Sequence, residues 1–412
     1  MWSEFLLSPK VTEILEFWRD RELTPSEEFS LLKKLRQNFT LQEASLLIKQ
    51  IQLRHRAKDK FPQADKMFFA DKALEQSTSW PLAWHRAQKL HEIAPPGPIL
   101  DLGCGLGGDA LAMAQFREVI AIDCDEDRLD LLQANIKSLN PPYSIKLIKA
   151  DYTSIKLPPA AAIFADPARR NDSKRIFTSE ELLPPLSTIL KIIAEKNLPA
   201  AVKLYPSFDK NFLQDHPESY LEFIGHHKQC QEAVLWLNTG LPHRLEGTVY
   251  SEGQYITRKV DTYSERPVNV GEVRPDQYLY EIEPAMLRAG LLFDLAQELE
   301  AHLFDPQVSW LVSENYRPTP LASVFRIESV EKFSLKRLQK ILREEDIGIL
   351  EIKKRNFAVE PEVIRKQIKL DKKKPPGKYG ICHQSQTRAY DVFGTTGYLN
   401  LRYSLSVFVL QI

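Results

Sequence analysis

Two textures of apolar and polar positions divide this chain near Gly271. Before that point, from Ile99 to about Tyr263, short apolar runs alternate with helical periodicity. The runs are Pro98 to Asp101, Val119 to Asp123, Ser144 to Asp151, Ala160 to Asp166 and Leu198 to Leu204. Between the first three lie Ala110 to Gln115 and Glu126 to Leu139. The second of these carries Leu129, Leu132 and Ile136 at the spacing of a helix packed on a sheet. Strands alternating with helices predict right-handed crossovers and a mostly parallel sheet covered on both faces. Two more apolar runs, Gln231 to Leu237 and Arg244 to Tyr250, are expected to pair and close that sheet.

Upstream the period is helical. Ser8 to Arg21, Thr24 to Gln37 and Thr40 to His55 read as helices. The third opens on Thr40-Leu41-Gln42-Glu43, a capping box in which Glu43 reaches back to the Thr40 amide. A bridging stretch, Phe61 to Trp80, leads into a helix over Pro81 to Ile93, with proline at a favoured first-turn position. Glu75-Gln76-Ser77-Thr78 lies just before it, placed either to touch a ligand or to cap. After Gly271 the pattern is compact strand and helix. Tyr278 to Ile282, Pro284 to Leu299 and Val308 to Val312 read as strand, helix, strand, and Ser323 to Ile327, Leu335 to Arg343 and Gly348 to Ile352 repeat that order. A helix over Pro361 to Ile368 and a strand over Leu401 to Leu410 follow.

At 412 residues the chain has room for two or three domains with real cores, and 43% hydrophobic with 27% charged residues fits a globular protein of the cytoplasm. Met1 to Lys10 lacks a signal-peptide pattern and no apolar run reaches membrane length, so no membrane partner is expected. Cys104, Cys124, Cys230 and Cys382 are scattered, and neither a disulfide framework nor a metal site is expected. His226-His227 reads as a polar strand edge. Formal net charge is zero, yet Glu331 to Gly380 holds 15 Lys/Arg against 8 Asp/Glu. Local excess of this kind suits salt-dependent phosphate contacts. Its densest part, Lys372-Lys373-Lys374-Pro375-Pro376-Gly377-Lys378, reads as a loop that serves either RNA or solvent.

The candidate chemistry starts at the end of the first strand. Asp101, Gly103, Gly105 and Gly107 make D-x-G-x-G-x-G, followed by Gly108 and Asp109. Glycines at a strand-to-helix turn let the backbone approach a nucleotide-like ligand closely, and Gly103, Gly105 and Gly108 also satisfy the dinucleotide fingerprint. An extra carboxylate disfavours a pyrophosphate at that turn but welcomes a cation. Asp123, about twenty residues on, suits ribose hydroxyls in either ligand class.

The loop resembles the first motif of class I S-adenosylmethionine-dependent methyltransferases. In that family the first acid, here Asp101, lies near the methionine moiety of the cofactor, and Asp151 resembles the acid that contacts adenine. The implied cofactor set is Asp101, Gly103, Gly105, Gly107, Asp109, Asp123 and Asp151. Asp166-Pro167-Ala168-Arg169-Arg170 resembles the fourth motif of enzymes that methylate amines, without the aromatic that stacks on a flipped base. The resemblance implies catalytic roles for Asp166 and Pro167, and Lys203, in the fifth strand, is expected to tune charge at the site. Arg169 and Arg170 serve either as a clamp on an anionic substrate or as structural ion pairs.

Further segments, Ala73 to Thr78, His85-Arg86-Ala87, Val202-Lys203-Leu204 and Glu283 to Gly290, make the chain similar to bacterial methyltransferases with a THUMP-like C-terminal region. The implied fold is an α/β Rossmann-like class I methyltransferase sheet over 97–270. A helical region precedes it over 1–96, and a C-terminal α+β region follows, ferredoxin-like over 271–320 and THUMP-like over 321–412. The implied activity is methyl transfer to an RNA base, in tRNA or rRNA, with the C-terminal region binding RNA. No cysteine lies between Cys124 and Cys230, which disfavours covalent pyrimidine methylation and leaves direct transfer to a heteroatom. A protein or small-molecule methyltransferase, a non-catalytic RNA-binding protein that keeps the fold, and a nicotinamide enzyme are the competing readings.

Overall fold

A computed structural model describes residues 2–169, 179–242, 244–260, 266–332, 335–344, 349–355, 360–368, 376–385 and 403–411. The chain forms two compact units, one of Met1–Ile224 with Glu232–Arg244, the other of Gly225–Gln231 with Leu245–Ile412.

The first unit begins with α1 (Trp2–Leu6), α2 (Pro9–Phe17), α3 (Pro25–Leu35) and α4 (Leu41–Ala57), followed by the short α5 (Asp71–Gln76) and by α6 (Trp80–Ile93). Leu6, Val11, Leu15, Leu35, Leu47 and Ile48 bury one apolar stripe from each of the first four. The expected capping box at α4 is present. The Thr40 amide donates to Glu43 Oε2 at 2.8 Å and the Glu43 amide to Thr40 Oγ1 at 3.3 Å.

The sheet then builds as β1 (Ile99–Leu102), α7 (Gly108–Met113), β2 (Val119–Asp123), α8 (Glu126–Leu139), β3 (Ile145–Lys149) and β4 (Ala162–Ala165). A small ribbon of β5 (Ala168–Arg169) and β6 (Leu182–Leu183) precedes α9 (Leu186–Lys196), β7 (Ala200–Leu204), β8 (Ser219–His226) and β9 (Gln229–Leu237). Their order is β8-β9-β7-β4-β1-β2-β3. β1 pairs in parallel with β2 and β4, β2 with β3, and β4 with β7, while β9 runs antiparallel to β7. The chain leaves β1 outward through β2 and β3, then returns to β4 on the other side. Order therefore reverses between β1 and β4, and above the carboxyl ends at such a reversal open sheets hold their ligands.

Register decides what faces that crevice. Asp101 pairs with Phe164, Phe164 with Ala201, Ala201 with Trp236, and Lys203 with Val234. With a period of two, Ile99, Ala162, Phe164, Ala201, Val234 and Trp236 share one face and pack with Leu82, Ala83 and Leu90 of α6. Asp101, Asp166, Lys203 and Glu232 continue the same rows toward the carboxyl edge.

One expected pairing is corrected. Gln229–Leu237 lies beside Ser219–His226, whereas Leu245–Ser251 (β10) forms a hairpin with Gln254–Val260 (β11). β8 is buried at nearly every position, so it shows no alternation, and its turn uses His227 and Lys228 at φ 52° and 61° without glycine. Both local signals of a hairpin are thus absent from the sequence.

In the second unit β12 (Tyr278–Ile282), α10 (Pro284–Arg288), α11 (Leu292–Glu298), β13 (His302–Asp305) and β14 (Val308–Ser313) follow that hairpin. After them come β15 (Ala322–Lys332), α12 (Leu335–Glu344), β16 (Ile349–Arg355), α13 (Pro361–Gln367), β17 (Pro376–Ser385) and β18 (Tyr403–Gln411). The strands β12 to β18 form one seven-stranded sheet in the order β13-β14-β12-β15-β18-β17-β16. Leu279, Trp310, Val312, Phe325 and Ile327 lie in its core. The helix expected over Pro284 to Leu299 is broken, because Gly290 takes φ 80° and the Leu291 amide closes back on the Met286 carbonyl at 3.1 Å. Lys378, expected in a loop, stands in β17, while Lys372 to Lys374 lie outside the described residues.

Candidate active site

The glycine loop between β1 and α7 is held in left-handed conformations, with Gly103, Gly105 and Gly107 at φ 84°, 54° and 81°. L-residues rarely adopt such angles, which is the physical demand behind the motif. At Gly105 a side chain would meet nothing within 4 Å, so this bend of backbone borders open space. Asp123 anchors it from the end of β2: Oδ2 accepts from the Gly105 amide at 2.9 Å and Oδ1 from the Asp125 amide at 2.9 Å.

Asp101 sits in β1, only 1% exposed, and neither of its carboxyl oxygens has a hydrogen-bond partner among the described residues. Burial is the main force that raises its pKa far above the carboxylate range. The charges of Asp109, Asp166 and Asp123 add to it, and Arg86 opposes. Tyr152, just beyond β3, has a buried hydroxyl that likewise lacks a partner among the described residues. Asp151 is exposed and closes its own turn, accepting from Thr153 N and Oγ1 at 2.9 and 2.7 Å. Those bonds hold its carboxyl below the usual range.

Asp166 follows β4 directly, and Lys203 Nζ donates to its Oδ2 at 2.6 Å. Burial alone would discharge Lys203, but Asp166 and then Glu232 outweigh it and keep the ammonium pKa above its ordinary value. Pro167 is buried beside them. Next to this pair stands a buried ion group that sequence reasoning missed: Arg86 of α6 donates to Asp109, in the first turn of α7, and to Glu232 of β9. Asp109 is thereby engaged by protein. A signal existed, since Arg86 shares the buried stripe of α6 with Leu82, Ala83, Ala87 and Leu90.

The stretch Glu75 to Thr78 ends α5. Lys60 Nζ donates to the carbonyls of Leu74, Glu75 and Ser77 at 2.8, 3.1 and 3.1 Å. Burial, then the nearby Lys203 charge, lowers its pKa. The structure thus gathers Asp101, the glycine loop, Asp109, Asp123, Asp166 and Lys203 around the β1/β4 reversal, with Asp151 in the turn after β3. Arg169 is placed only by its backbone in β5, and Arg170 lies outside the described residues.

A cavity of about 480 Å³ lies elsewhere in this unit, lined by Leu23, Ile48, Gln52, Arg56 and Asp71 of the helical region, and carries none of this chemistry. Among the described residues, no group of three or more His, Cys, Asp or Glu is arranged to hold a metal ion, and no helix is long and apolar enough to cross a membrane.

S-adenosylmethionine suits this geometry. It carries a sulfonium and an ammonium, and the crevice sets Asp101, Asp109, Asp123, Asp166 and Glu232 against Arg86 and Lys203. Partnerless oxygens at Asp101 and Tyr152 and open space at Gly105 are what a bound polar cation requires. The residues fit the group.

Comparison with known proteins agrees. A family model described as methyltransferase domain matches residues 99–166, and one described as THUMP domain-like matches residues 322–400. An uncharacterized S-adenosylmethionine-dependent methyltransferase of Mycobacterium tuberculosis is 26% identical over 345 residues, spanning 81% of this chain and 91% of that protein. A methyltransferase crystal structure from Porphyromonas gingivalis W83 matches with a TM-score of 0.72 at 18% identity, covering 94% of this chain and 98% of the other. The last likeness speaks for the fold.

Proposed function

Because the chain is a class I S-adenosylmethionine-dependent methyltransferase with a THUMP-like C-terminal region, we propose that it methylates a heteroatom of an RNA base by direct transfer. The observation that carries this reading is the Asp166–Lys203 pair at the β1/β4 crevice. When bound, the cofactor supplies a methyl group already activated on sulfur, so the protein's task is positioning and exclusion of water. The glycine loop would meet the cofactor with backbone, Asp123 would accept from ribose hydroxyls, Asp151 would face adenine, and Asp101 would lie by the methionine end.

Lys203 occupies Asp166 Oδ2 and holds the carboxylate oriented. Oδ1 is then the atom that accepts a hydrogen bond from the acceptor amine, aims its lone pair at the methyl carbon, and takes up the proton released on transfer. Pro167 donates no backbone hydrogen bond, and its carbonyl adds a second acceptor there. No cysteine lies between Cys124 and Cys230 to attack a pyrimidine ring.

RNA is favoured over protein by the THUMP-like match and by the excess of Lys/Arg, 15 against 8 Asp/Glu, between Glu331 and Gly380. We assign the domains as 1–96 helical, 97–270 catalytic, 271–320 ferredoxin-like and 321–412 THUMP-like. Incubation with methyl-labelled cofactor, fractionated RNA and lysate protein tests the acceptor. Label in tRNA or rRNA is the expected result, and label confined to protein or small molecules would overturn the RNA assignment.

A further inference from the structure

We propose that Arg86 is a positioning residue for methyl transfer: by engaging Glu232 it leaves Lys203 to hold Asp166, the group that orients the acceptor. The inference deepens the reading of the Asp166–Lys203 pair given above and rests on it.

Two acids compete for Lys203. β9 runs antiparallel to β7 with Lys203 opposite Val234, so Glu232, two residues before Val234, shares the face of Lys203 and lies one diagonal step nearer the carboxyl edge. Asp166 reaches Lys203 from the end of β4. Burial opposes charge on Lys203, and Asp166 and then Glu232 support it. Glu232 is the deeper of the two acids, its side chain 3% exposed against 33% for Asp166. Charges attract several-fold more strongly away from water, so without Arg86 the buried Glu232 would draw Lys203 from Asp166. The observed pairing is the reverse, with Lys203 Nζ donating to Asp166 Oδ2 at 2.6 Å.

Arg86 accounts for that reversal. Its guanidinium, 1% exposed, gives Nη1 to Glu232 and Nη2 to Asp109 in the first turn of α7. The ring of Phe164, two residues before Asp166 in β4, lies 5.4 Å from its Cζ and braces the fork against the strand that leads to the acid. A planar fork serves two acids at once, whereas an ammonium is a point charge. Arginine therefore suits a place where one cation must answer both acids and leave the lysine to a third. In this arrangement Arg86 touches neither cofactor nor acceptor; it acts through Glu232 and Lys203.

Single-turnover transfer from methyl-labelled S-adenosylmethionine tests this, with the full chain and whichever fraction of RNA or lysate protein accepts label. Rates are corrected for the folded fraction measured by calorimetry. Arg86→Gln should lower the rate at saturating cofactor by about tenfold to a hundredfold. Adding Glu232→Gln removes the competing acid and should restore most of that loss, which a merely supportive role for Arg86 in the fold would not produce in folded protein. In a Lys203→Met background Arg86→Gln should cost less than about twofold more, because the residue through which it acts is gone. Arg86→Lys keeps a cation in the core but reaches one acid only, and it passes through the same cycle should the glutamine variant fail to fold. An unchanged rate in the folded variant overturns the proposal. So does a loss that Glu232→Gln leaves in place, or one that is equally large without Lys203. Those results leave Asp166 and the cofactor crevice standing. Failure of the unaltered protein to label any fraction would overturn the catalytic reading and this inference together.

Discussion

Glu222 in β8 and Asp101 in β1 are acids at equal depth in one unit, 0% and 1% exposed, and they are treated in opposite ways. Glu222 Oε1 meets His85 Nε2 at 2.7 Å, and Oε2 accepts from Lys89 Nζ and Trp236 Nε1, each at 2.9 Å. The helix α6 supplies two of those three donors, so this acid fastens helix to sheet. Among the described residues Asp101 receives none, although Arg86 of the same helix ends on its neighbours Asp109 and Glu232. A buried acid saturated with donors is architecture. One left bare at a topological switch point marks where a ligand completes the protein.

Substitutions separate the two kinds of polar burial. The largest effect belongs to Asp166→Ala, which should reduce methyl transfer by about a thousandfold while cofactor affinity by calorimetry stays near that of the unaltered protein. Unchanged turnover would remove Asp166 from the mechanism. Next is Arg86→Met. It leaves Asp109 and Glu232 buried without their cation and should cost about 3–5 kcal/mol in chemical denaturation. A loss below about 1 kcal/mol would mean that the triad is not a fastening. Glu222→Gln is smaller. It retains shape but mismatches its donors, and should cost about 1–3 kcal/mol with cofactor affinity unmoved. A shift in cofactor affinity there would erase the distinction between joint and site.

Much of this contrast was legible beforehand, for a physical reason. Parallel strands buried on both faces read as plain apolar runs, and the acids that end or punctuate them, Asp101, Asp123, Asp151 and Asp166, stand out against that background. Glycines locked at positive φ are equally visible. What stayed hidden depends on partners distant in sequence. Glu222 lies inside Tyr220-Leu221-Glu222-Phe223-Ile224, where nothing local says that α6 will meet it. Arg86 reads as one more helical cation until the stripe of α6 is traced residue by residue. The strand over Pro376–Ser385 was obscured because proline, glycine and lysine at its start argue for a loop, whereas pairing with β16 and β18 decides otherwise.

The subtlest prediction concerns stability as a function of pH. The Asp101 pKa lies well above the ordinary value in the folded chain, mainly through burial, and returns to that value on unfolding. Between the two, the folded state holds a proton that the unfolded state has lost, so folding is favoured by acid at this position. Its contribution is fully present below the unfolded pKa and is lost as pH rises through the folded one. Asp101→Asn keeps the shape of the neutral acid and removes the titration. Melting temperatures of the two proteins should therefore nearly coincide at the acid end of the folded range and diverge upward for the variant as pH rises. Added S-adenosylmethionine should reverse that order, since the carboxylate then has its cation. Parallel melting curves across pH would show that Asp101 does not titrate in the folded chain. The line between a saturated and a bare acid would then have to be drawn from hydrogen bonds alone.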